Sequence, residues 1–527
     1  MLRQKPIKEN LLKPLLAVTS GVLGFLAFPP FNYSVLAWVF LVPLLFVIKR
    51  SDERMSFLWS YLSGVVFFGC LLYWLVNVSI LGMVILVLAL AFFFGFFGLV
   101  ARIILKYAAD IFILPFFWVA LEYIRGHIFT GFPWGLLAYS QYQNINLIQI
   151  ADFTGAYGVS FLIVMFNMAA FGYLVRVERK LGYMMMALFF ILVSSMYGTY
   201  RLENYKIWGS PRMSVIQGNI PQQLKWDPAY AKDIINEYSV LTREASKDDP
   251  SMIIWPETAY PHLIYNEETG AKEIRELAAE TGVPILTGAV YDNGKGYFND
   301  AILYSEKGEF TKRYDKLHLV PFGEYVPLGD KLSFVRKYID KPIGDFKRGR
   351  EYTLFPMKSF SSSNMADGAI KRRTNFYKFG VLVCFEDIFP ELAREYVRRG
   401  ANFLVVMTND AWFGRTAAPE QHLQASVFRA VENRAPVVRA ANTGVSCFVD
   451  SDGRIRSRVM KGARDTFVEG YATDNVKVSA TRTPYTIYGD TFVYFCGFML
   501  IILIITEALL YKTRPSYLIK KGKYHEE

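Results

Sequence analysis

Residues 380–390 read GVLVCFEDIFP, so an apolar run from Gly380 to Val383 delivers Cys384, one of only four cysteines, with one residue between it and the pair Glu386 and Asp387. Acids beside a thiol raise its pKa and blunt it as a nucleophile unless a cation offsets them. Two other apolar runs deliver polar groups in the same way: IIWPE ends on Glu257, and LVVMT is followed by Asn409 and Asp410. RYDKLHLVPFGEYVP adds Lys316 just past another strand-like run. A thiol, a carboxylate and an ammonium group in one cleft could attack an acyl carbon. The carboxylate would take the thiol proton, and the cation would face the developing oxyanion. The simpler reading of Cys384 is a disulfide with Cys447, which an oxidising compartment permits. On the residues alone both readings stay open.

These groups meet only if the runs that carry them are strands of shared sheets. Short β-branched runs at 213–217, 252–257, 284–291, 379–384, 401–408 and 436–441 alternate with helix-like patterns at 229–244, 268–281, 390–399 and 419–434. The segment 301–314 reads as a hairpin turning at Lys307-Gly308. Apolar strands alternating with helices predict an α/β fold with a buried sheet, and sites in such folds lie beyond the carboxyl ends of strands. The polar, Ser-rich stretch 359–373 predicts a loop.

The chain is 53% hydrophobic, with a mean hydropathy of +0.21, too apolar for an ordinary soluble protein. Residues 1–200 and 491–511 hold most of the long apolar runs, whereas 210–480 has the polar turns of one large soluble domain. A spanning helix needs about 20 mostly apolar residues. The runs 15–28, 35–48, 57–78, 81–105, 111–124, 159–175, 183–197 and 491–510 therefore predict a membrane α-helical bundle of about eight transmembrane helices. The first two are short and interrupted by Pro29-Pro30 and Pro43, so tilted or broken helices are expected there. The organisation read is seven helices within 1–200, a catalytic domain over 210–480, a last helix over 488–511 and a basic tail over 512–527.

Lys and Arg mark cytoplasmic helix ends. Arg3, Lys5, Lys8 and Lys13, then Lys49, Arg50 and Arg54, then Arg102 and Lys106, then Arg176 and Lys180 make every second loop basic. That pattern puts both termini in the cytoplasm and 210–480 outside. The net charge of +11 is largely this decoration plus contact with anionic lipid. No basic run is interleaved with aromatics, so nucleic acid is not an expected partner. The five histidines show no zinc spacing, so no metal is expected, and His318 and His422 read as hydrogen-bonding or packing groups. Gly218 in QGNIP reads as a turn residue and not a phosphate loop, and no cofactor is expected.

Four separated blocks, WPETAYP (255–261), YDKLHLVPFGEYVP (314–327), VCFEDIFP (383–390) and TNDAWFG (408–414), closely resemble the Glu-Lys-Cys motifs of the nitrilase superfamily, in that family's order, over about 212–460. VIQGNIPQQLKWD (215–227), TGFPWGLLAYSQ (130–141) and the apolar flanks are similar to one membrane branch, the apolipoprotein N-acyltransferases. The resemblance implies a nitrilase-like αββα sandwich with Glu257, Lys316 and Cys384 as triad and Glu324 and Glu386 as further functional acids. The backbone N–H of Phe385 would share the oxyanion with Lys316. Phe385 itself stands where some members carry Tyr. By residue type alone Trp134 is an interfacial anchor and Trp226 a packing residue; the resemblance moves both, with Asn409, toward the substrate side. The long gap between Lys316 and Cys384 implies lid loops.

The activity implied is acyl transfer in the bacterial inner membrane, with the catalytic domain on the periplasmic side. A membrane phospholipid would donate the acyl chain to Cys384, and the acceptor would be the α-amino group of the diacylglyceryl-modified N-terminal cysteine of an apolipoprotein. One rival is a membrane-tethered amidase using water as acceptor. Another is a transporter or scaffold with an inactive domain, against which an intact Glu257, Lys316 and Cys384 set argues.

Overall fold

The polar strand ends identified above meet because two sheets pack face to face. The computed structural model describes residues 5–107, 112–177, 180–326, 346–364 and 370–513. The first sheet runs in the order Gly470–Asn475, Arg212–Gln217, Ile253–Ile254, Ile285–Asp292, Tyr297–Tyr304, Phe310–Asp315, with Leu263–Ile264 also paired to Ile285–Asp292. The second runs Ile455–Arg456, Cys447–Val449, Val437–Ala441, Phe403–Thr408, Ile370–Val383, Phe355–Asn364.

Strand alternation divides the core. Val215, Leu286, Ala301 and Leu303 join a cluster with Val381, Val383 and Val405 of the other sheet. Ile216, Ile285, Ile302 and Tyr304 point the other way, onto Ile234, Tyr238, Ile274 and Leu277 of the helices Ala231–Ser246 and Lys272–Thr281. The helices Pro390–Arg398 and Ala418–Asn433 cover the second sheet. The expected αββα layering is present.

The segment 359–373, expected as a loop, is instead mostly strand. Phe355–Asn364 pairs antiparallel with Ile370–Val383 up to Asn364 opposite Ile370, leaving 365–369 outside the described residues. The lid loops expected between Lys316 and Cys384 fall partly on 327–345, also outside the described residues, as does the tail from 514 on.

Four helices among the described residues are long and apolar enough to cross a membrane: Glu53–Leu71, Ile80–Lys106, Ala156–Leu174 and Lys180–Glu203. Shorter apolar helices cover Leu11–Leu26, Ser34–Lys49 and Thr491–Thr506, and Ile113–His127 is a further helix. The run 35–48 is broken as expected, into a 3-10 turn at Ser34–Trp38 and a helix at Leu41–Lys49 that tolerates Pro43 in its first turn. The run 57–78, expected as one helix, ends at Leu71 and continues as a 3-10 turn, Tyr73–Asn77. Its polar tips are drawn off toward the soluble domain: Trp74 Nε1 donates to Gln421 Oε1 at 3.1 Å and Asn77 Nδ2 to the Phe413 carbonyl at 2.8 Å.

The helix Ala418–Asn433 lies between the second sheet and the N-terminal helices, and every residue in it except Glu420 is buried. Its polar side chains are correspondingly paired. Arg429 bonds Glu432 at 2.8 Å and reaches the Ile388 carbonyl and the Tyr139 hydroxyl. Just past its end, Arg434 bonds Asp152 at 2.8 Å. These contacts pin the N-terminal apolar helices onto the helix that covers the second sheet.

Candidate active site

Register brings the second sheet's groups into one row. Met407 pairs with Val383 and Thr408 with Ala441, so Cys384, Asn409 and Asn442 all lie just past the ends of neighbouring parallel strands. In the first sheet Ile254 pairs with Leu286, and the chain beyond it approaches the neighbouring strand so closely that only glycine fits at 288. A Cβ there would lie 2.5 Å from the Pro256 carbonyl oxygen and 2.7 Å from the Glu257 Cα. Lys316 follows Phe310–Asp315 directly, and its N–H donates to the Asn299 carbonyl at 3.0 Å.

The three motif residues converge with Glu324. Lys316 Nζ lies 2.8 Å from Glu324 Oε1 and 3.5 Å from Glu257 Oε1. Asn299 Nδ2 bridges the same two acids at 2.8 and 2.9 Å, and the Asn409 N–H donates to Glu257 Oε2 at 2.9 Å. Val320 N–H holds the other Glu324 oxygen at 2.8 Å. Burial opposes the charge on Lys316, but Glu324 and Glu257 together hold its pKa above the usual lysine value. It is a fixed cation.

Cys384 adopts a left-handed backbone, with φ at +54°, at the start of a 3-10 turn, Cys384–Ile388. Such a conformation in a non-glycine residue holds strain of about 1–3 kcal/mol and persists only where neighbours enforce it. The N–H groups that open a helical turn have no intrahelical acceptor, so Phe385 N–H is available to an incoming oxyanion. Burial pushes the Cys384 thiol well above the ordinary cysteine range, and Glu257 adds to this while Lys316 opposes it. The thiol is therefore protonated at rest, and attack needs a base at the moment of bond formation. All four cysteines are free, which overturns the disulfide reading; Cys447 is a buried strand residue.

Glu386 does not serve the sulfur. Its carboxylate accepts the N–H groups of Val383 (2.7 Å), Leu317 (2.7 Å) and His318 (2.9 Å) and the Tyr314 hydroxyl at 2.8 Å. Burial pushes its pKa up to about 7, against Lys316 and these donors. It therefore staples the lysine loop to the end of the cysteine strand.

The remaining expected residues divide. Asn409 orients Glu257 through its backbone, and its side chain is engaged by Gln222 at 2.7 Å and Asn442 at 3.0 Å. Trp134 is 5% exposed, donates to Gln421 Oε1 at 3.0 Å and packs 5.0 Å from Trp74. It is a buried junction residue, and the interfacial-anchor reading fails because its polar edge is satisfied inside the protein. Trp226 is 44% exposed, so it is not the packing residue its type suggests. Phe385 packs edge-on against Phe389 at 5.1 Å and lies 6.3 Å from Phe132.

Sequence reasoning missed Asn299 and Lys225. Lys225 Nζ donates to the Glu257 carbonyl at 2.9 Å, and burial brings its pKa down to about 7 against the pull of Glu257 and Cys384. Its only signal was its place in LKWD; Asn299 gave none beyond facing Lys316 across a strand pair. Among the described residues no His, Cys, Asp and Glu cluster suited to a metal occurs.

A family model described as the apolipoprotein N-acyltransferase N-terminal domain matches residues 20–169, and one described as carbon-nitrogen hydrolase matches 212–481. The apolipoprotein N-acyltransferase of Geobacter metallireducens is 39% identical, covering 92% of this chain and 92% of its own length. That of Pasteurella multocida is 30% identical over 95% of this chain and 96% of its own. Among solved structures, an amidase from Nesterenkonia sp. is 18% identical, covering 52% of this chain and 93% of that one at a TM-score of 0.35. A carbon-nitrogen hydrolase domain fused to this particular set of apolar helices, over nearly the full length of such relatives, makes the chain a member of the apolipoprotein N-acyltransferase family.

Proposed function

We propose that the chain moves a fatty acyl group from a membrane phospholipid onto Cys384 and then to the α-amino group of a lipoprotein's diacylglyceryl-cysteine. The observation that carries this is a buried thiol beside Glu257 and Lys316, in a domain whose covering helix is sealed against apolar helices. Both substrates are lipids, and a site set at the membrane face reaches them without exposing acyl chains to water.

In the first half, Glu257 takes the thiol proton as sulfur attacks the ester carbonyl, and Lys316 and Phe385 N–H face the oxyanion. The tetrahedral adduct collapses, the C–O bond breaks, and Glu257 returns the proton to the departing lysophospholipid oxygen. In the second half the amine attacks the thioester and Glu257 accepts a proton from nitrogen. The C–S bond then breaks and that proton restores the Cys384 thiol. Lys316, held by Glu324, stays charged throughout. Trp226, exposed beside Lys225, contacts incoming substrate, and Trp134 and Asn409 shape the cleft behind it.

In this reading the chain crosses the inner membrane about eight times, with 210–480 on the periplasmic side. The four long apolar helices and the alternation of basic loops support it. The second reading, a membrane-tethered amidase, shares the same triad and differs only in its acceptor. Purified protein given phospholipid and a diacylglyceryl lipopeptide with a free α-amine should yield N-acylated lipopeptide and lysophospholipid. Free fatty acid with unmodified lipopeptide would favour the amidase reading instead.

A further inference from the structure

His422 lies in the helix Ala418–Asn433, buried but for Glu420, outside the motif residues, and is 1% exposed. Its Nε2 is 3.1 Å from the carbonyl oxygen of Cys384. Its Nδ1 is 2.9 Å from Arg439 Nη2 and 3.3 Å from Asp410 Oδ1. A guanidinium can only donate, so the shorter contact makes Nδ1 an acceptor. The ring proton then sits on Nε2 and is donated to the Cys384 carbonyl. Arg439 is itself fixed by Asp387 Oδ2 at 3.2 Å and Asp410 Oδ2 at 3.4 Å, all three buried.

The adjacent residue faces the membrane helices. Gln421 Oε1 accepts from both Trp74 Nε1 at 3.1 Å and Trp134 Nε1 at 3.0 Å, and its amide donates to the Pro29 carbonyl at 3.2 Å. Three separate loops of the N-terminal helices thus end on one side chain, next in sequence to the one that grips the cysteine backbone.

We propose that His422 is a positioning residue for the nucleophile. Its Nε2–H clamps the Cys384 carbonyl and enforces the left-handed turn that aims Sγ and the Phe385 N–H. Gln421 ties that clamp to the membrane helices, so the acyl-transfer geometry depends on their docking. The inference rests on Cys384 being the nucleophile of the proposed reaction. Misplacing a reacting atom by on the order of 1 Å costs about 100-fold in rate, which is the scale on which such a clamp acts.

The test uses the full-length protein in detergent and reads two rates: alkylation of Cys384 by iodoacetamide, and kcat and KM for acyl transfer. His422→Ala should slow both alkylation and kcat by about tenfold or more, with KM for phospholipid nearly unchanged. His422→Gln keeps an N–H near the Nε2 position and should recover most of both rates. Gln421→Leu leaves the imidazole in place, stays clear of the reacting atoms, and should still slow alkylation by about threefold or more. A His422→Gln protein as slow as His422→Ala would overturn the clamp, because a ring proton transfer and not a hydrogen bond to the carbonyl would then be at work. Alkylation at the parental rate in both His422→Ala and Gln421→Leu would overturn it equally. Alkylation needs no lipid substrate. Slowed alkylation with no N-acyl product from the parent would therefore refute the acyltransferase reading and leave the clamp standing.

Discussion

Glu324 touches neither sulfur nor substrate in the proposed reaction, yet replacing it with Gln should disable the site. Lys316 Nζ is shared between Glu324 at 2.8 Å and Glu257 at 3.5 Å, and Lys316 is fully buried. At an effective dielectric constant of about 20 the two attractions are roughly 6 and 5 kcal/mol, so Glu324→Gln removes the larger share. Losing one partner of a buried pair costs about 3–5 kcal/mol unless the survivor finds compensation. The compensation at hand is Glu257, on which Lys316 can close. A carboxylate gripped by an ammonium is a poorer proton acceptor, and general-base catalysis is worth about 10²–10⁴-fold. Acylation of Cys384 should therefore fall by about 100-fold in Glu324→Gln. Glu324→Asp keeps the charge one methylene further back and should fall between the two. The assay is the single-turnover rate of acyl-enzyme formation from phospholipid, followed by intact mass. Acylation of Glu324→Gln within about threefold of the parent would show that Lys316 does not need its second carboxylate, and the charge argument would fail.

Lys225 should leave a pH signature. Its folded pKa of about 7 lies below its unfolded value of about 10.5, so between these values the unfolded chain binds one more proton and stability rises with pH. The slope is at most about 1.4 kcal/mol per pH unit, so the melting-temperature advantage of Lys225→Met over the parent should shrink from pH 7 to 10; a constant difference would contradict the buried, depressed lysine. Trp226→Ala should raise KM for lipid substrate with kcat and melting temperature unchanged, since the ring is 44% exposed; a drop in stability with no change in KM would make it a packing residue after all. A reporter inserted between residues 364 and 370 should face the periplasm while tags at both termini face the cytoplasm. Protease access to 210–480 from the cytoplasmic side would reverse the topology.

The acids and the thiol were legible in the sequence because each follows an apolar strand, and strand ends are where α/β sheets build sites. Lys316 meets Glu257 and Glu324 at 3.5 and 2.8 Å, and Glu386 ties the Lys316 loop to the strand that ends at Cys384. What was not legible came through contacts between residues far apart in the chain. Asn299 bridges Glu257 and Glu324 from a strand whose own pattern reads only as core, and His422 reaches Cys384 from a helix 38 residues later in sequence. The role of Trp134 was missed because an aromatic in a loop between apolar helices has two satisfied states, one in the membrane interface and one inside protein. Nothing in its type announces the Gln421 acceptor. The hairpin at 355–383 was missed because its Ser, Lys and Arg residues lack apolar alternation, so pairing with a core strand decided its structure.

The acyl group should wait on sulfur. Donor and acceptor are both bulky lipids competing for one cleft, so the reaction should be ping-pong, with a thioester on Cys384 between the halves. Intact-mass spectrometry of the purified protein mixed with phospholipid and no acceptor measures this directly. The account predicts one added acyl mass, mapped to Cys384, absent from Cys384→Ala, and discharged by hydroxylamine or by a lipopeptide with a free α-amine. An adduct mapping to Cys447, or full turnover through a ternary complex with no adduct at all, would contradict it.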